Sequence, residues 1–396
     1  MKLELAPPRA VGVGMKAFHC QYCGQPLYFE NQLCVSCGRR LGYMPEQREL
    51  SALEPDRSQQ DVWRALAAPG RLYRFCANAA FGACNWLAPA GPTEDAYCPA
   101  CRHNRTIPDL SAPERMERWR KIQAAQHRLF DALLALKLPV ATRFEDPAGL
   151  GFDILSDPHG DGPGKSAITT GHADGLITLN LREADDSVRE RLRRDLDEPY
   201  RTLLGHFRHE VGHYVWQSLV EGTALVEPFR AEFGDERRPY EAALKRHYDN
   251  PPPTDWRERF VSAYASSHPW EDFAETFAHY LHMVDTLETA AAFGVRLDHA
   301  TAANDPADLD PYGEISLEQL IGAWLPLTFA VNSLNRSMGQ PDLYPFLPSP
   351  MVIAKLAFVH DLVRGQARAP EPVRSERALK AVIAGLAARI GDPEAP

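Results

Sequence analysis

His209-Glu210-Val211-Gly212-His213 is the stretch around which the rest of this chain can be read. Segment 200–219 repeats apolar residues at helical spacing and predicts one buried helix. Residues four apart share a helix face, so His209 and His213 can point at one ion. Glu210 lies between them in angle and can reach a water on that ion. This H-E-x-x-H spacing predicts two zinc ligands and a general base.

The alternative for this stretch is a helix that only buries two histidines in a core. Gly212 argues against that alternative, because glycine inside a helix costs stability unless something approaches the backbone closely. His206 lies one turn before His209, too far along the axis to share the ion easily, so it is not counted as a ligand.

A second acidic stretch, Glu271-Asp272-Phe273-Ala274-Glu275, is expected to complete the site. It follows Pro269, which suits a helix start, and its apolar residues give the helix a buried stripe. Glu271 is the preferred third ligand, and three ligands leave an open position for water. Glu275, one turn later, is expected to hydrogen-bond a ligand imidazole. The alternative is a solvated acidic helix start, which the helix dipole favours anyway.

Four further ring side chains lie near this helix in sequence. Tyr264 and His268 are catalytic candidates, as donors to the oxyanion of a transition state, against a structural role for each. His279 and His282 fall beyond the ligand turn and are expected to pack or to form hydrogen bonds.

All eight cysteines lie between residues 20 and 101, and nothing indicates export, so they point to metal rather than disulfides. Two C-x-x-C-G knuckles predict a four-thiolate zinc ribbon, with a rubredoxin-like iron site or disulfides as alternatives. Its ligands are Cys20, Cys23, Cys34 and Cys37. A looser group predicts a second closed zinc site, against free buried thiols. This group consists of Cys76, Cys84, Cys98 and Cys101.

Composition limits the partners of the chain. Its 396 residues carry a net charge of −10, with a pI near 5.8, which argues against a surface built to bind nucleic acid or anionic lipid. The cysteine modules are only mildly basic, so we interpret them as metal-stapled units packed on their neighbour, although such ribbons can bind nucleic acid or protein. The N-terminal MKLELAPPRA has no signal-peptide core and no run approaches eighteen apolar residues, so a soluble, cytoplasmic protein is expected.

The pattern of the remaining residues predicts mixed secondary structure. A short strand is expected at 27–30, and 46–70 reads as a polar linker with a short helix near Asp61–Ala67. A long amphipathic helix is expected from 112 to 136, ended by Pro139.

Strands are expected at 152–155 and 176–181, with a turn at Gly171–Gly175. The second of these strands is expected to line the cleft and to pair with an extended substrate. His159 and His172 are interpreted as surface histidines.

The C-terminal part reads as helical. A helix is expected at 315–335, kinked or split by Pro326, followed by a proline-rich loop and a helix at 352–363. An alanine-rich helix is expected near 375–390. Arg336 and Tyr344 could meet a substrate, although burial with a carboxylate partner is preferred.

The stretch E-D-F-A-E-T-F-A resembles the second motif of gluzincin metallopeptidases. HFRHEVGHYVW and SAYASSHPWEDFAETFAHYLH, together with the N-terminal zinc ribbon, resemble a bacterial family of zinc-binding metallopeptidases that carry such a ribbon. The resemblance spans roughly residues 17–362. It implies His209, His213 and Glu271 as ligands and Glu210 as general base.

We therefore predict an α+β protein: zinc-ribbon modules, then a mainly helical, zincin-like metallopeptidase domain with a small β-sheet. The predicted domains are a zinc ribbon (1–45), a linker with the second cysteine module (46–110), the metallopeptidase domain (111–365) and a helical tail (366–396). The predicted function is hydrolysis of peptides or proteins by a zinc-activated water. It uses one catalytic zinc ion beside one or two structural ones. The alternatives are a non-catalytic scaffold that acts through its ribbons and a zinc hydrolase of a non-peptide amide.

Overall fold

The computed structural model describes residues 17–91, 96–157, 168, 170–185, 202–297 and 305–366. Within these ranges the chain forms eight α-helices and eleven strands in three sheets, which confirms the α+β class. None of the helices in the described part is both long and apolar enough to cross a membrane. The first residues of the helix predicted at 200–219, the predicted helix near 375–390 and His159 all lie outside the described residues.

The N-terminal region holds a two-stranded hairpin and a five-stranded antiparallel sheet. The hairpin carries the first pair of cysteines, and its second strand ends at Leu27, short of the predicted 27–30. The strands are β1 Phe18–His19, β2 Pro26–Leu27, β3 Leu41–Met44, β4 Glu49–Pro55, β5 Trp63–Ala65, β6 Leu72–Phe75 and β7 Leu87–Pro89.

The prediction of a linker with a short helix at 46–70 is wrong. Residues Glu49–Pro55 and Trp63–Ala65 are neighbouring antiparallel strands of the five-stranded sheet. The ring of Trp63 packs edge-on against Phe75, with centroids 5.6 Å apart. This contact between strands decides the conformation, and a local reading of the polar segment could not include it.

Helix α1, Pro113–Ala135, joins the N-terminal region to the rest of the chain. Proline occupies its first turn, where its missing N–H has no helical partner to lose. The helix ends before Pro139, where Lys137 takes a left-handed conformation with φ of 55°. Its buried face carries Trp119, Leu129 and Phe130.

A four-stranded sheet follows, in the order β10-β11-β9-β8. Its strands are β8 Asn104–Thr106, β9 Gly151–Leu155, β10 Gly171–Ala173 and β11 Leu176–Asn180. The predicted turn at 171–175 is a hairpin whose first arm is β10. Strand β11 lies between two neighbours, so its backbone is already paired and cannot accept a substrate strand as predicted. Among the described strands, β10 forms that edge of the sheet.

The helices that follow form the core of the molecule. They are α2 Leu203–Leu219, α3 Val226–Phe233, α4 Tyr240–Asp249, α5 Trp256–Arg259, α6 Pro269–Ala292, α7 Leu317–Ser337 and α8 Pro350–Val363. Thr202 caps α2 by accepting a hydrogen bond from the backbone of Gly205, 2.9 Å away. Helix α7 continues through Pro326, which therefore does not split it. Burial of Leu320, Trp324 and Leu327 on both sides of the proline offsets the missing backbone hydrogen bond.

Helices α2 and α6 approach each other closely at Gly212. A Cβ atom on this glycine would lie 2.9 Å from the Cα of Ala274 in α6. Gly212, whose place inside a helix predicted a close backbone approach, thus faces the backbone of α6. This contact brings the two predicted metal-binding stretches together.

Candidate metal centre

Helices α2 and α6 bring three predicted ligands to one place. His209, His213 and Glu271 each offer an atom that lies within 4.8 Å of the other two. The Nε2 atom of His209 is 3.0 Å from Glu271 Oε2, and that of His213 is 3.5 Å from Glu271 Oε1. Glu271 and His209 are buried.

Glu275 fixes the orientation of the first imidazole. His209 Nδ1 donates to Glu275 Oε1 over 2.7 Å, so its Nε2 presents a lone pair toward Glu271. Ser262 Oγ in turn donates to Glu275 Oε2, also over 2.7 Å. This is the contact expected for Glu275, and Ser262 extends it in a way that the sequence did not indicate.

The chemistry of this donor set fits a divalent cation. Glu271 Oε2 is buried and has no hydrogen-bond partner among the described residues, although it faces His209 Nε2. Two lone-pair atoms at that distance repel each other unless positive charge lies between them. Burial lowers the pKa of His209, but the nearby carboxylates of Glu271 and Glu275 raise it well above its ordinary value. The site therefore attracts positive charge, and two imidazoles with one carboxylate suit zinc with an open fourth position.

Tyr240 is a neighbour of the site that the sequence analysis did not identify. Its hydroxyl, on the first residue of α4, donates to Glu271 Oε1 over 2.6 Å. This bond occupies one carboxylate oxygen and leaves Oε2 as the metal-binding atom. Nothing in the spacing of the sequence connects Tyr240 with a residue so far along the chain.

The predicted base, Glu210, lies at the end of a buried chain of hydrogen bonds. His206 Nε2 is 3.0 Å from Glu210 Oε1, and its Nδ1 contacts Glu183 Oε2. Burial lowers the pKa of His206, but Glu183 and Glu210 outweigh burial and raise it to about 9. Burial raises the pKa of Glu210, but His206 and the nearby ligand histidines lower it to about 2. His206 thus holds a proton between two carboxylates. Its position four residues before Glu210 was a signal for this contact.

The prediction that His172 is a surface histidine is wrong. Its ring stacks on that of His213, with centroids 5.9 Å apart and an angle of 21°. The Nε2 atom accepts a hydrogen bond from the backbone N–H of Gly175 over 2.9 Å, which leaves the proton on Nδ1. Burial lowers the pKa of His172 to about 4, so the ring stays neutral. The fold places it there because β10 packs beside α2.

The two oxyanion candidates differ in their surroundings. His268 caps α6: its Nδ1 accepts from Trp270 N–H over 3.2 Å, and its Nε2 lies 3.1 Å from the carbonyl oxygen of Arg238. Both ring nitrogens are engaged, so His268 has a structural role and cannot serve as an oxyanion donor. The Tyr264 ring lies 5.9 Å from that of His209. Burial raises the pKa of Tyr264 well above its ordinary value, so the hydroxyl keeps its proton.

The remaining candidates pack away from the ligands. His279 Nδ1 lies 2.6 Å from the hydroxyl of Tyr344, and the ring of His282 stacks on the same tyrosine. Both histidines therefore pack as predicted. Arg336 forms a two-bond ion pair with Asp342, which is the carboxylate partner expected for it. The expected burial is wrong, because the Arg336 side chain is exposed.

Each cysteine quartet converges on one point, as a metal site requires. Within each quartet the sulfur atoms lie within 4.8 Å of one another, and all eight cysteines are free thiols. The convergence of four sulfurs in each quartet favours a metal ion over disulfides. The two clusters differ in exposure: Cys23 is exposed and Cys37 partly so, whereas all four cysteines of the second cluster are buried.

Comparison with known proteins agrees with this arrangement. Residues 115–362 match the family described as "Putative zinc-binding metallo-peptidase", and residues 17–112 match a zinc-ribbon domain. The chain belongs to this zinc-binding metallo-peptidase family. The metallo-peptidase segment includes the three converging ligands of α2 and α6, and the zinc-ribbon segment includes all eight cysteines.

Similar proteins match this chain over almost its whole length. One uncharacterized protein of Mycobacterium bovis and two from strains of Mycobacterium tuberculosis are each 40% identical over 365 residues. These matches cover 92% of this chain and 99% of each relative. No solved structure matches the chain.

Proposed function

We propose that this metallo-peptidase family member hydrolyses peptide bonds with a zinc ion held by His209, His213 and Glu271. The observation that carries the proposal is the convergence of three ligand atoms within 4.8 Å. Two of them, on His209 and His213, come from α2, the helix that also carries Glu210. A purely structural zinc is closed by four protein ligands and needs no carboxylate beside it. Family membership supports zinc-dependent peptidase chemistry at a coarser level. The two cysteine clusters are assigned structural zinc ions.

Zinc, when bound, lowers the pKa of water and polarises a carbonyl group. Glu210 is the group that receives the proton of the attacking water and returns it to the leaving amine. His206 keeps the carboxylate of Glu210 in place through its 3.0 Å contact. Tyr264 keeps its hydroxyl proton and is the remaining candidate donor to the oxyanion of the transition state.

The substrate is proposed to lie along β10. This strand is short, forms the edge of its sheet among the described strands, and carries His172 against the ligand His213. An extended peptide could add to such an edge by backbone hydrogen bonds. The carbonyl to be attacked would then pass the ligand cluster. This placement replaces the substrate strand expected at 176–181.

The test is metal analysis of the wild type beside Glu210→Gln, with both proteins assayed on a peptide library. We expect three zinc ions per chain in both proteins and cleavage in the wild type alone, because glutamine keeps the shape of Glu210 but cannot accept the proton. Glu318→Gln, an exposed substitution on α7, is the matched control.

Equal cleavage by wild type and Glu210→Gln would contradict the proposal, as would two zinc ions in the wild type. A wild type with three zinc ions and no cleavage of any peptide would favour the scaffold alternative. Cleavage of simple amides without peptides would favour hydrolysis of a non-peptide amide.

A further inference from the structure

Helix α1 carries a buried stripe of polar side chains on one face. The stripe consists of Gln123, Gln126, His127 and Asp131. Buried polar groups cost stability unless they find partners. These partners lie in the N-terminal region: the Gln126 amide contacts the carbonyl of Ala100, and Asp131 accepts hydrogen bonds from Tyr43 and Arg48.

The partners of His127 are sulfur atoms of the second cysteine cluster. Its Nε2 atom lies 3.3 Å from Cys84 Sγ, 3.4 Å from Cys101 Sγ and 4.0 Å from Cys98 Sγ. The ring packs against Trp86, with centroids 5.1 Å apart, and is 4% exposed. The packing thus aims a ring nitrogen at one face of the cluster.

The second cluster needs such a partner more than the first does. Four thiolates around a divalent zinc ion carry a net charge of about −2. In the second cluster each cysteine is at most 3% exposed, so water cannot stabilise that charge. Two backbone amides already donate to it: Trp86 N–H to Cys84 Sγ over 3.3 Å, and Cys101 N–H to Cys98 Sγ over 3.4 Å. In the first cluster, Cys23 and Cys37 reach solvent.

We propose that His127 completes the second metal site by donating its Nε2–H to the thiolates of Cys84 and Cys101. Its distances to those sulfurs match those of the two amide donors in the same cluster, which identifies a hydrogen bond rather than a fifth metal ligand. Four cysteines already satisfy a structural zinc ion.

This assignment makes the second site a joint structure of two parts of the chain. His127 lies outside the segment matched by the zinc-ribbon domain and inside the segment matched by the metallo-peptidase family. The second cluster is therefore not a self-contained ribbon. The hydrogen bonds of His127 to its thiolates fasten α1 to this metal site.

The test uses the full-length protein loaded with ¹¹³Cd, whose NMR shift reports the ligand atoms. The wild type should give two resonances in the range of four-sulfur sites, and the second-site ion should correlate with the Nε2 proton of His127. His127→Phe should shift the second-site resonance alone and weaken its metal affinity in a chelator titration by roughly 10–100-fold. His127→Gln, which restores an N–H donor, should recover much of that affinity. His19→Phe, an exposed histidine beside the first cluster, is the matched control.

Two results would overturn the proposal. An unchanged second-site resonance and affinity in His127→Phe would reduce the histidine to a packing residue. A wild-type shift in the range of three sulfurs and one nitrogen would make it a ligand. If His127→Phe fails to fold, the wild-type spectrum and His127→Gln still decide between these outcomes. None of these readouts depends on peptidase activity, so the proposed function can fail while this inference stands.

Discussion

The imidazole of His209 is held between two carboxylates that have different tasks. Glu271 faces Nε2, where a metal would bind, whereas Glu275 accepts the Nδ1 proton over 2.7 Å. Without the second contact the ring could rotate or place its proton on the other nitrogen. Glu275 therefore controls whether His209 presents a lone pair to the metal.

Replacing Glu275 should weaken the zinc site without touching a ligand. In Glu275→Ala we expect zinc affinity at the His209 site to fall roughly 10–100-fold, as is typical when the partner of a ligand histidine is lost. Chelator competition with metal counting measures this loss, and the cysteine sites should keep their metal. Glu318→Ala provides an exposed control. Wild-type affinity in Glu275→Ala would show that packing alone orients the ring.

A buried histidine outside the His209 metal centre should make stability depend on pH. His103 Nδ1 donates to the carbonyl of Leu150 over 2.9 Å, and burial lowers its pKa from 6.5 to about 4. As the pH falls, His103 therefore gains a proton near pH 6.5 in the unfolded chain but only near pH 4 in the folded chain. The stability that depends on neutral His103 is complete above pH 6.5 and is lost as the pH falls toward 4.

The expected effect at pH 5 is about 2 kcal/mol of unfolding free energy relative to pH 7. In His103→Asn, which keeps a donor for Leu150, urea unfolding should show a correspondingly smaller loss between pH 7 and pH 5. Acid also releases metal, but that loss is common to both proteins and cancels in the comparison. The exposed His19→Asn is the control. Parallel pH curves for wild type and His103→Asn would rule out this role.

At the scale of elements, the crossing of α2 and α6 is what builds the metal centre. The ligands come from two helices, so their separation depends on how closely the helix backbones approach. That approach is closest at Gly212, opposite the backbone of Ala274.

A side chain at Gly212 should push the two helices apart. The new Cβ of Gly212→Ala would lie 2.9 Å from the Cα of Ala274 and 3.2 Å from its carbonyl oxygen, and a helix backbone cannot move aside as a flexible side chain can. We expect a net loss of about 1–2 kcal/mol, since overpacking outweighs the better helix propensity of alanine. Denaturant unfolding and zinc titration should both change. Gly91→Ala, where a Cβ meets nothing within 4 Å, should change neither.

The geometry of single helices and turns explains which residues of the metal sites could be predicted from the sequence. His209 and His213 share a helix face, Glu271 and Glu275 are one turn apart, and each C-x-x-C forms one turn, so local backbone geometry brings these residues together. Tyr240 and Glu271 are 31 residues apart and meet only through the packing of α4.

Strands that depend on pairing with a neighbouring strand were also missed. Trp63–Ala65 is a strand because β4 and β6 flank it, and β10 exists because it pairs with β11. For the same reason His172 reaches His213 through the sheet and not through any spacing. These short strands are stabilised by pairing with a neighbouring strand and not by the propensity of their own residues, so their sequence alone does not identify them.

At the scale of the molecule, Arg48 ties the N-terminal region to the helical core. It lies in the turn between β3 and β4, in a left-handed conformation with φ of 52°. Its guanidinium contacts Asp131 of α1 over 2.8 Å and Glu288 of α6 over 2.7 Å. Three separate parts of the chain therefore meet at one largely buried cation.

Removing that cation should destabilise the whole chain. Arg48→Met would remove the cation that the buried carboxylates of Asp131 and Glu288 share, which costs about 3–5 kcal/mol in comparable buried sites. Arg39→Met removes an ion pair with Glu54 that is partly exposed and should cost less than about 1 kcal/mol. Chemical unfolding of both variants measures the difference. Equal losses would mean that the N-terminal region is held by apolar packing and metal alone.

The order of the metal-binding residues along the chain has a consequence for biosynthesis. A ribosome releases the N-terminal part of a protein first, and that part can begin to fold while the rest is being made. The ligands of the first cysteine cluster emerge first and those of the second follow. The hydrogen bond proposed for the second cluster waits for His127, and the His209 site waits for Glu271, long after both. The three sets of zinc ligands therefore become complete in a fixed order during translation, and the site proposed to cut peptides is complete last.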